Sequence, residues 1–241
     1  MAPSPATSDP ASDSAFDPAS DETSRESSQP AFWDERYRAY PDLFSAAPNA
    51  IVAAEADRLP AGAEVLEVAA GEGRNARFLA QRGHPVTALD FAPAGLEALR
   101  SVAAAEALPI TCVCADILTW APGRRWDAIV VTFLQLLPDE RPRLFARLRS
   151  LLRPGGVLIG VFFRPEHHTD TYADVGPPVA DRMVSPAEGR EYLPEAGLQR
   201  CAPVDRHLDE GRIAGFCALT VVGYEAPAEP AVSSARGDTR A

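Results

Sequence analysis

The stretch Glu67-Val68-Ala69-Ala70-Gly71-Glu72-Gly73-Arg74-Asn75, with Asp90 closing the next apolar run, decides the fold. It reads as a strand, a tight glycine-bearing turn, a helix start and a second strand that ends in a carboxylate. That order holds an adenosine-bearing cofactor at the carboxyl edge of a parallel sheet. Outward from this stretch the alternation repeats. Strands are expected at 64–68, 86–90, 110–115, 127–133, 157–163 and 215–224, and helices at 48–59, 73–82, 93–107, 139–153 and 185–196. Pro48 is placed in the first turn of its helix, Gly83 caps the end of the next, and Ser185 with Pro186 opens the last. Phe32, Trp33 and Tyr37 fall on a short aromatic-bearing helix upstream. Near-continuous apolar strands between amphipathic helices need cover on both faces, which gives an α/β, Rossmann-like, doubly wound sheet.

A chain of 241 residues is long enough for one domain with a proper core, and 46% hydrophobic content excludes a wholly disordered protein. Residues 1–30 read as a disordered acidic tail, 31–225 as the folded domain and 226–241 as a second polar tail. The first tail sets six acids against Arg25 alone, so the body keeps more than half of the net charge of −11. That acidity argues against nucleic acid as a partner. No apolar run is long enough to span a bilayer and no signal peptide is recognisable, so a cytoplasmic location is expected. The four cysteines lack framework spacing and are expected to be reduced. Cys112 and Cys114 share one strand face and read as core packing rather than a metal site.

The strand ends carry the cofactor chemistry. Glu67 ends the first strand, and Gly71 and Gly73 let the backbone approach a ligand. Asp90 can accept both ribose hydroxyls. Asp116 can accept from an exocyclic amine while Ile117 packs on a purine. Gly71-x-Gly73-x-x-Ala76 also fits a dinucleotide fingerprint, but a pyrophosphate wants an electropositive helix start and here Glu67 and Glu72 flank it. S-adenosylmethionine has no phosphate and carries an ammonium and a sulfonium. A carboxylate suits that end, and turn amides or Arg74 could meet its carboxylate. The chain contains no lysine, so the Tyr-x-x-x-Lys pair of one large dehydrogenase class is absent. A nicotinamide-dependent oxidoreductase and a non-catalytic cofactor-binding protein are the alternatives.

The segments FWDERY, PNAIVAAEADRLP, VLEVAAGEGRNARFLAQRGHPVTALDFAPAGLEALR, LQLLPDERPRLFARLRSLLRPGGVLIGVFF and GRIAGFCALTVVG resemble class I S-adenosylmethionine-dependent methyltransferases, especially the bacterial tellurite-resistance and thiopurine-type group. The resemblance runs from Phe32 to Tyr224. It implies a seven-stranded sheet with an antiparallel last strand and a methyl transfer to a small molecule, such as a soft thiol or a metalloid anion. It gives Glu67, Ala69, Gly71 and Gly73 to the methionine end of the cofactor, Asp90 and Phe91 to ribose and adenine, and Asp116 and Ile117 to the adenine ring. Asn75 and Thr132 complete the cofactor set. The family usually has glycine where Ala69 stands.

Methyl transfer to a soft nucleophile needs alignment and exclusion of water more than a base. The acceptor walls are expected from Trp33 and Tyr37, from Thr132, Phe133 and Gln135, and from 164–172. His167, His168 and Gln135 are the candidates for catalytic groups, with a solvated loop as the plainer reading of the histidines. His207, Asp209, Glu210 and Arg212 read as a charged hairpin turn, His84 as surface, and Trp120 and Trp126 as packing.

Overall fold

A computed structural model describes residues 30–228. The two tails expected from the sequence lie outside that range, apart from its first residue and last three. The chain runs α1 (Pro30–Ala39), α2 (Ala50–Glu55), β1 (Val65–Val68), α3 (Arg74–Gln81), β2 (Val86–Asp90), α4 (Pro93–Ala105), β3 (Ile110–Cys114), β4 (Trp126–Thr132), α5 (Arg141–Leu151), β5 (Leu152–Phe163), α6 (Pro186–Tyr192), β6 (Leu198–Glu210) and β7 (Ile213–Glu225). Short 3₁₀ turns occupy Ala56–Arg58, Pro165–His168 and Ala180–Arg182. The strands form one seven-stranded sheet in the order β3-β2-β1-β4-β5-β7-β6. β1 to β5 are parallel, and β7 runs antiparallel to both β5 and β6. The order reverses between β1 and β4, so the crevice beyond their carboxyl ends is the topological switch point.

The period of two along β1 sorts its side chains onto two cores. Leu66 and Val68 join Ile129, Val131, Leu158 and Phe162 under α5 and α6. Val65 joins Val86, Ala88, Ala128 and Val130 under α2, α3 and α4. A third cluster under β5, β7 and β6 gathers Val161, Phe163, Leu208, Leu219 and Met183. β1 is buried at every position, as a central parallel strand should be.

Several local expectations are corrected. The helix expected at 48–59 is shorter, and Pro48 precedes its cap. Asn49 is the N-cap, its Oδ1 accepting from Ile51 and Val52 N–H. The helix expected at 185–196 stops at Tyr192, although Ser185 does cap it through a reciprocal pair with Glu188. β5 begins at Leu152, so Pro154-Gly155-Gly156 lies within the strand, between the Trp126–Leu152 and Ala128–Val157 pairings. The charged hairpin turn expected at His207–Arg212 is confined to Gly211 and Arg212, because His207, Asp209 and Glu210 belong to the long strand β6. Cys114 on edge strand β3 is exposed, so that pair is not core packing. His84 is buried, its Nδ1 3.3 Å from the Ala63 carbonyl, rather than at the surface. Trp126 is buried and its ring lies 5.6 Å from that of Trp120, as expected for packing.

Gly95, inside α4, lies directly against the turn that follows β1. A Cβ there would stand 2.8 Å from the Gly71 carbonyl carbon and 2.9 Å from its oxygen. Gly to Ala within a helix ordinarily stabilises by roughly 0.5–1 kcal/mol. Here the sign is expected to reverse: Gly95→Ala should cost on the order of 1–3 kcal/mol, because backbone and not a flexible side chain must move. Urea denaturation of the two proteins measures this, and a more stable variant would contradict the packing described.

Candidate active site

The turn after β1 is built from left-handed residues. Ala69, Gly71 and Gly73 all have positive φ, at 57°, 53° and 74°. Glycine adopts this region freely, whereas alanine pays about 1–2 kcal/mol for it. The turn closes through Gly73 N–H to Ala70 O at 2.8 Å and is tied to β2 by Ala70 N–H to Leu89 O at 3.0 Å. Asp90 fixes it further: one carboxylate oxygen accepts from Gly71 N–H and the other from Ala92 N–H, both at 2.8 Å. Burial raises the Asp90 pKa, and these amides oppose the rise.

Glu67, only 1% exposed, is the focus of a buried polar network. Its Oε1 accepts from Asn75 Nδ2 at 2.9 Å, while Oε2 has no partner. Burial raises its pKa to about 7, opposed by the bonds from Asn75 and the Ala76 amide. Asn75 also donates to Thr132 Oγ1 at 3.3 Å, and its Oδ1 accepts from Asn49 N–H at 2.8 Å. Asn49 Nδ2 in turn donates to Glu210 at 3.0 Å, and Arg74 donates to the same carboxylate at 2.5 Å. Glu210 is therefore a buried counter-ion and not part of an exposed hairpin turn. Arg74 is committed to it and to the Phe44 carbonyl at 3.0 Å, which corrects the expectation that it waits for a ligand carboxylate.

The segment after α1 is fastened across this site. Glu72 accepts from Asp42 and Leu43 N–H, each at 2.8 Å, and Arg212 N–H donates to Leu43 O at 3.0 Å. Asp34 caps α4 by accepting from Ala94 N–H at 2.7 Å. These anchors seat the Tyr37 hydroxyl over Gly71, where any Cβ would clash with it. Tyr37 is pushed well above the ordinary phenol range by burial and by Asp90 nearby.

A cleft of about 540 Å³ opens between these parts. Glu67, Ala69, Gly73, Asn75, Asp90, Phe91 and Thr132 line it, as do Trp33, Phe44, Phe133, Gln135, Phe163 and Tyr172. Gly71 does not, because Tyr37 covers it. Asp116 and Ile117 line a smaller adjoining hollow that shares Ala69, Asp90, Phe91 and Gln135 with the cleft. The structure thus gathers every candidate cofactor residue except Gly71 into two adjoining hollows at the carboxyl end of the parallel strands.

The candidate catalytic groups separate. His167 is buried with both ring nitrogens occupied: Nδ1 accepts from Ala218 N–H at 3.2 Å, so Nε2 carries the proton and donates to Val175 O at 2.7 Å. Burial lowers its pKa. A neutral imidazole so committed holds the 164–176 segment to β7 and is not placed as a base. His168 is exposed at the cleft, with Nε2 3.1 Å from the Pro177 carbonyl. Gln135 has an unpartnered buried Oε1. The residues that sequence reasoning missed are Asn49, Glu72 as a clasp, and Glu210. Of these only Asn49 had a local signal, since Pro-Asn before an apolar run marks a helix cap. Among the described residues no group of His, Cys, Asp and Glu could hold a metal, and no helix is long and apolar enough to cross a membrane.

The strand order and the parallel pairing define a Rossmann-like fold, with the cleft lying over its switch point. Residues 65–156 match the family model described as "Methyltransferase domain". Over 68% of its length the chain is 28% identical to "Probable thiol methyltransferase 2" of Arabidopsis thaliana, of which it covers 71%. Over 53% of its length it is 36% identical to "Trans-aconitate 2-methyltransferase" of Azoarcus sp. (strain BH72), covering 46% of that protein. The crystal structure of TehB from Haemophilus influenzae superposes with a TM-score of 0.63 at 19% identity, covering 81% of this chain and 66% of TehB. That likeness establishes the fold. The chain spans less than half of the Azoarcus protein and about two thirds of TehB.

The raised pKa of Glu67 has a stability consequence. Its folded value of about 7 exceeds the ordinary 4.5, so the folded protein holds this proton more tightly than the unfolded chain. The favourable contribution is complete below about pH 4.5 and is lost as pH rises through about 7, an effect on the order of 3 kcal/mol. Glu67→Gln should remove that fall, so its melting temperature relative to wild type should climb between pH 5 and 8. Melting curves in a pH series measure the gap, and a gap independent of pH would refute the assignment.

Proposed function

We propose that this protein transfers a methyl group from S-adenosylmethionine to a small, soft acceptor, with a thiol as the first candidate. The observation that carries the reading is the unpartnered Oε2 of Glu67, buried beside a left-handed glycine turn in a cleft that Asp90 also lines. A buried carboxylate oxygen without a donor is costly, and the ammonium of the cofactor's methionine end would satisfy it. Asp90, already held by two backbone amides, keeps lone pairs for ribose hydroxyls, and Phe91 with Ile117 and Asp116 would take the adenine. The carboxylate end belongs on the side of the cleft lined by Arg212, since Arg74 is spent on Glu210. The residues present therefore fit the cofactor.

When bound, S-adenosylmethionine supplies a methyl carbon on a sulfonium leaving group. The residues here orient the acceptor and exclude water. Trp33, Phe44, Phe133, Phe163 and Tyr172 make the far end apolar and aromatic. With His167 unable to act as a base, an acceptor that needs none is favoured, and positioning can supply up to about 7–11 kcal/mol in good cases. The thiol reading draws on the likeness to a thiol methyltransferase; a reduced metalloid anion would be equally soft. The absence of a nucleic-acid partner goes with a net charge of −11.

Calorimetry with S-adenosylhomocysteine tests the cofactor half. Micromolar binding is expected, weakened about 10–100-fold in Asp90→Ala. Binding should also weaken as pH falls below about 7, by at most tenfold per unit, as the Glu67 carboxylate takes up a proton. Mass-spectrometric assay of a thiol panel tests the acceptor half. No heat with the nucleoside at any pH would end the proposal, and methylation of oxygen or nitrogen acceptors alone would end the thiol reading.

A further inference from the structure

Two groups of aromatic rings border the cleft. In the first, from α1 and the segment after it, Phe44 packs on Trp33 with ring centroids 6.2 Å apart and on Tyr37 at 6.4 Å. In the second, Phe133 from the loop after β4 packs on Phe163 at 5.1 Å, and Phe163 on His167 at 4.7 Å. Among the described residues no ring contact joins Phe44 to Phe133. Both approach the one guanidinium of Arg74 instead, whose Cζ lies 6.0 Å from the Phe44 centroid and 5.8 Å from that of Phe133. Phe44, Arg74 and Phe133 all line the cleft, and both phenylalanines are only half-buried. Two rings that share one cation without touching leave a slot between them, with the guanidinium as its floor.

That floor offers little to a guest that needs hydrogen bonds. Arg74 spends Nη1 on the Phe44 carbonyl and Nη2 on Glu210, whose carboxylate also matches its charge. What remains is ring face. One wall is fixed in advance: Phe133 sits at φ 56°, rare for so bulky a residue, and its amide is held by Val161 O at 2.8 Å. The cleft also lacks a placed base, since both ring nitrogens of His167 are bonded to backbone. A thiol acceptor must therefore ionise unaided, because the thiolate is the nucleophile. A cysteine-like alkyl thiol keeps its proton up to about pH 8.5. An aromatic ring on the sulfur spreads the charge, so that the proton leaves to water closer to neutrality.

We propose that the slot between Phe44 and Phe133 receives the flat ring of an aromatic thiol, so that the methyl acceptor is an aryl or heteroaryl thiol and not an aliphatic thiol or a metalloid anion. This rests on reading the cleft as a methyl-transfer site. A planar π-system gains stacked or edge-to-face contact from each wall. A saturated ring of the same size gains only its buried area, and a compact oxyanion finds the donors of the floor already taken. Phe44 and Phe133 are specificity residues in this account and touch no reacting atom.

Titration of the protein, saturated with S-adenosylhomocysteine, with phenol and with cyclohexanol tests the slot by ligand NMR and needs no turnover. Both probes are uncharged at about pH 7.5 and differ in flatness. Wild type should bind phenol about 5–150-fold more tightly than cyclohexanol. Phe44→Leu and Phe133→Leu should each shrink that ratio by about 2–12-fold, and Phe133→Tyr, which keeps a ring, should retain it. In turnover with S-adenosylmethionine, thiophenol should exceed cyclohexanethiol in kcat/KM at matched thiolate concentration. The idea is overturned by equal binding of the two probes or no binding of phenol in wild type, by a ratio that neither leucine variant moves, by an equal fall in Phe133→Tyr and Phe133→Leu, or by faster methylation of cyclohexanethiol. Calorimetry with S-adenosylhomocysteine separates the two readings: no heat in wild type removes the cofactor assignment, whereas the phenol ratio, measured then without the nucleoside, still decides the slot.

Discussion

A carboxylate buried at the end of the central strand holds this site together. Glu67 leaves β1 on the face covered by α2–α4 and cannot be solvated there, so it must be hydrogen-bonded by protein. Asn75 does this, and Asn75 is itself oriented by Asn49 and Thr132. Asn49 passes the constraint on, because its side chain caps α2 with one atom and binds Glu210 with the other. Glu210 closes the circuit by pairing with Arg74, the first residue of α3. Four segments far apart in sequence are thereby set in one geometry, and only one oxygen in the circuit, Oε2 of Glu67, is left over.

The parts legible in the sequence are those whose physics is local. Gly71, Gly73 and Asp90 lie within twenty-four residues of Glu67, the glycines in the turn after β1 and Asp90 at the end of its neighbour β2, so spacing alone put them together. The strands β1, β2 and β4 were equally readable, since burial on both faces leaves an apolar run. β6 was not, because it is an edge strand with alternating exposure, and Leu198–Glu210 carries acids, arginines and a proline that resemble a loop. Glu210 was hidden for another reason. A buried charge reveals itself only through its partner, and Arg74 stands 136 residues earlier. His167 was misleading in the same way: two backbone groups decide its role, and neither has a signature in side-chain pattern.

Ala69 shows how the network tolerates a local misfit. Its left-handed backbone would suit glycine better, yet the turn around it is closed by Gly73 N–H and anchored through Asp90. Strain of one or two kcal/mol persists where the surroundings over-determine the conformation. Phe133, also at positive φ, stands in the same relation to the end of β4. Its amide is held by Val161 O at 2.8 Å, and its ring lies 5.1 Å from that of Phe163. Both residues line the cleft, as does Ser45, whereas Asp42 and Ala107, also at positive φ, do not.

The two ends of the cleft follow from different rules. The cofactor end is made of strand ends and one turn, all fixed by the sheet. The far end is assembled from α1 and the segment after it, from the loop after β4 and from 164–178, none of which is set by strand register. Those segments are held instead by side-chain clasps: Glu72 on Asp42 and Leu43, Asp34 on Ala94, and Arg164 paired with Asp205 and Glu166. Clasps can change residue by residue without disturbing the sheet, whereas the turn after β1 cannot change without losing the register of three strands. A chemistry shared at one end and an acceptor free to differ at the other is therefore what this architecture favours.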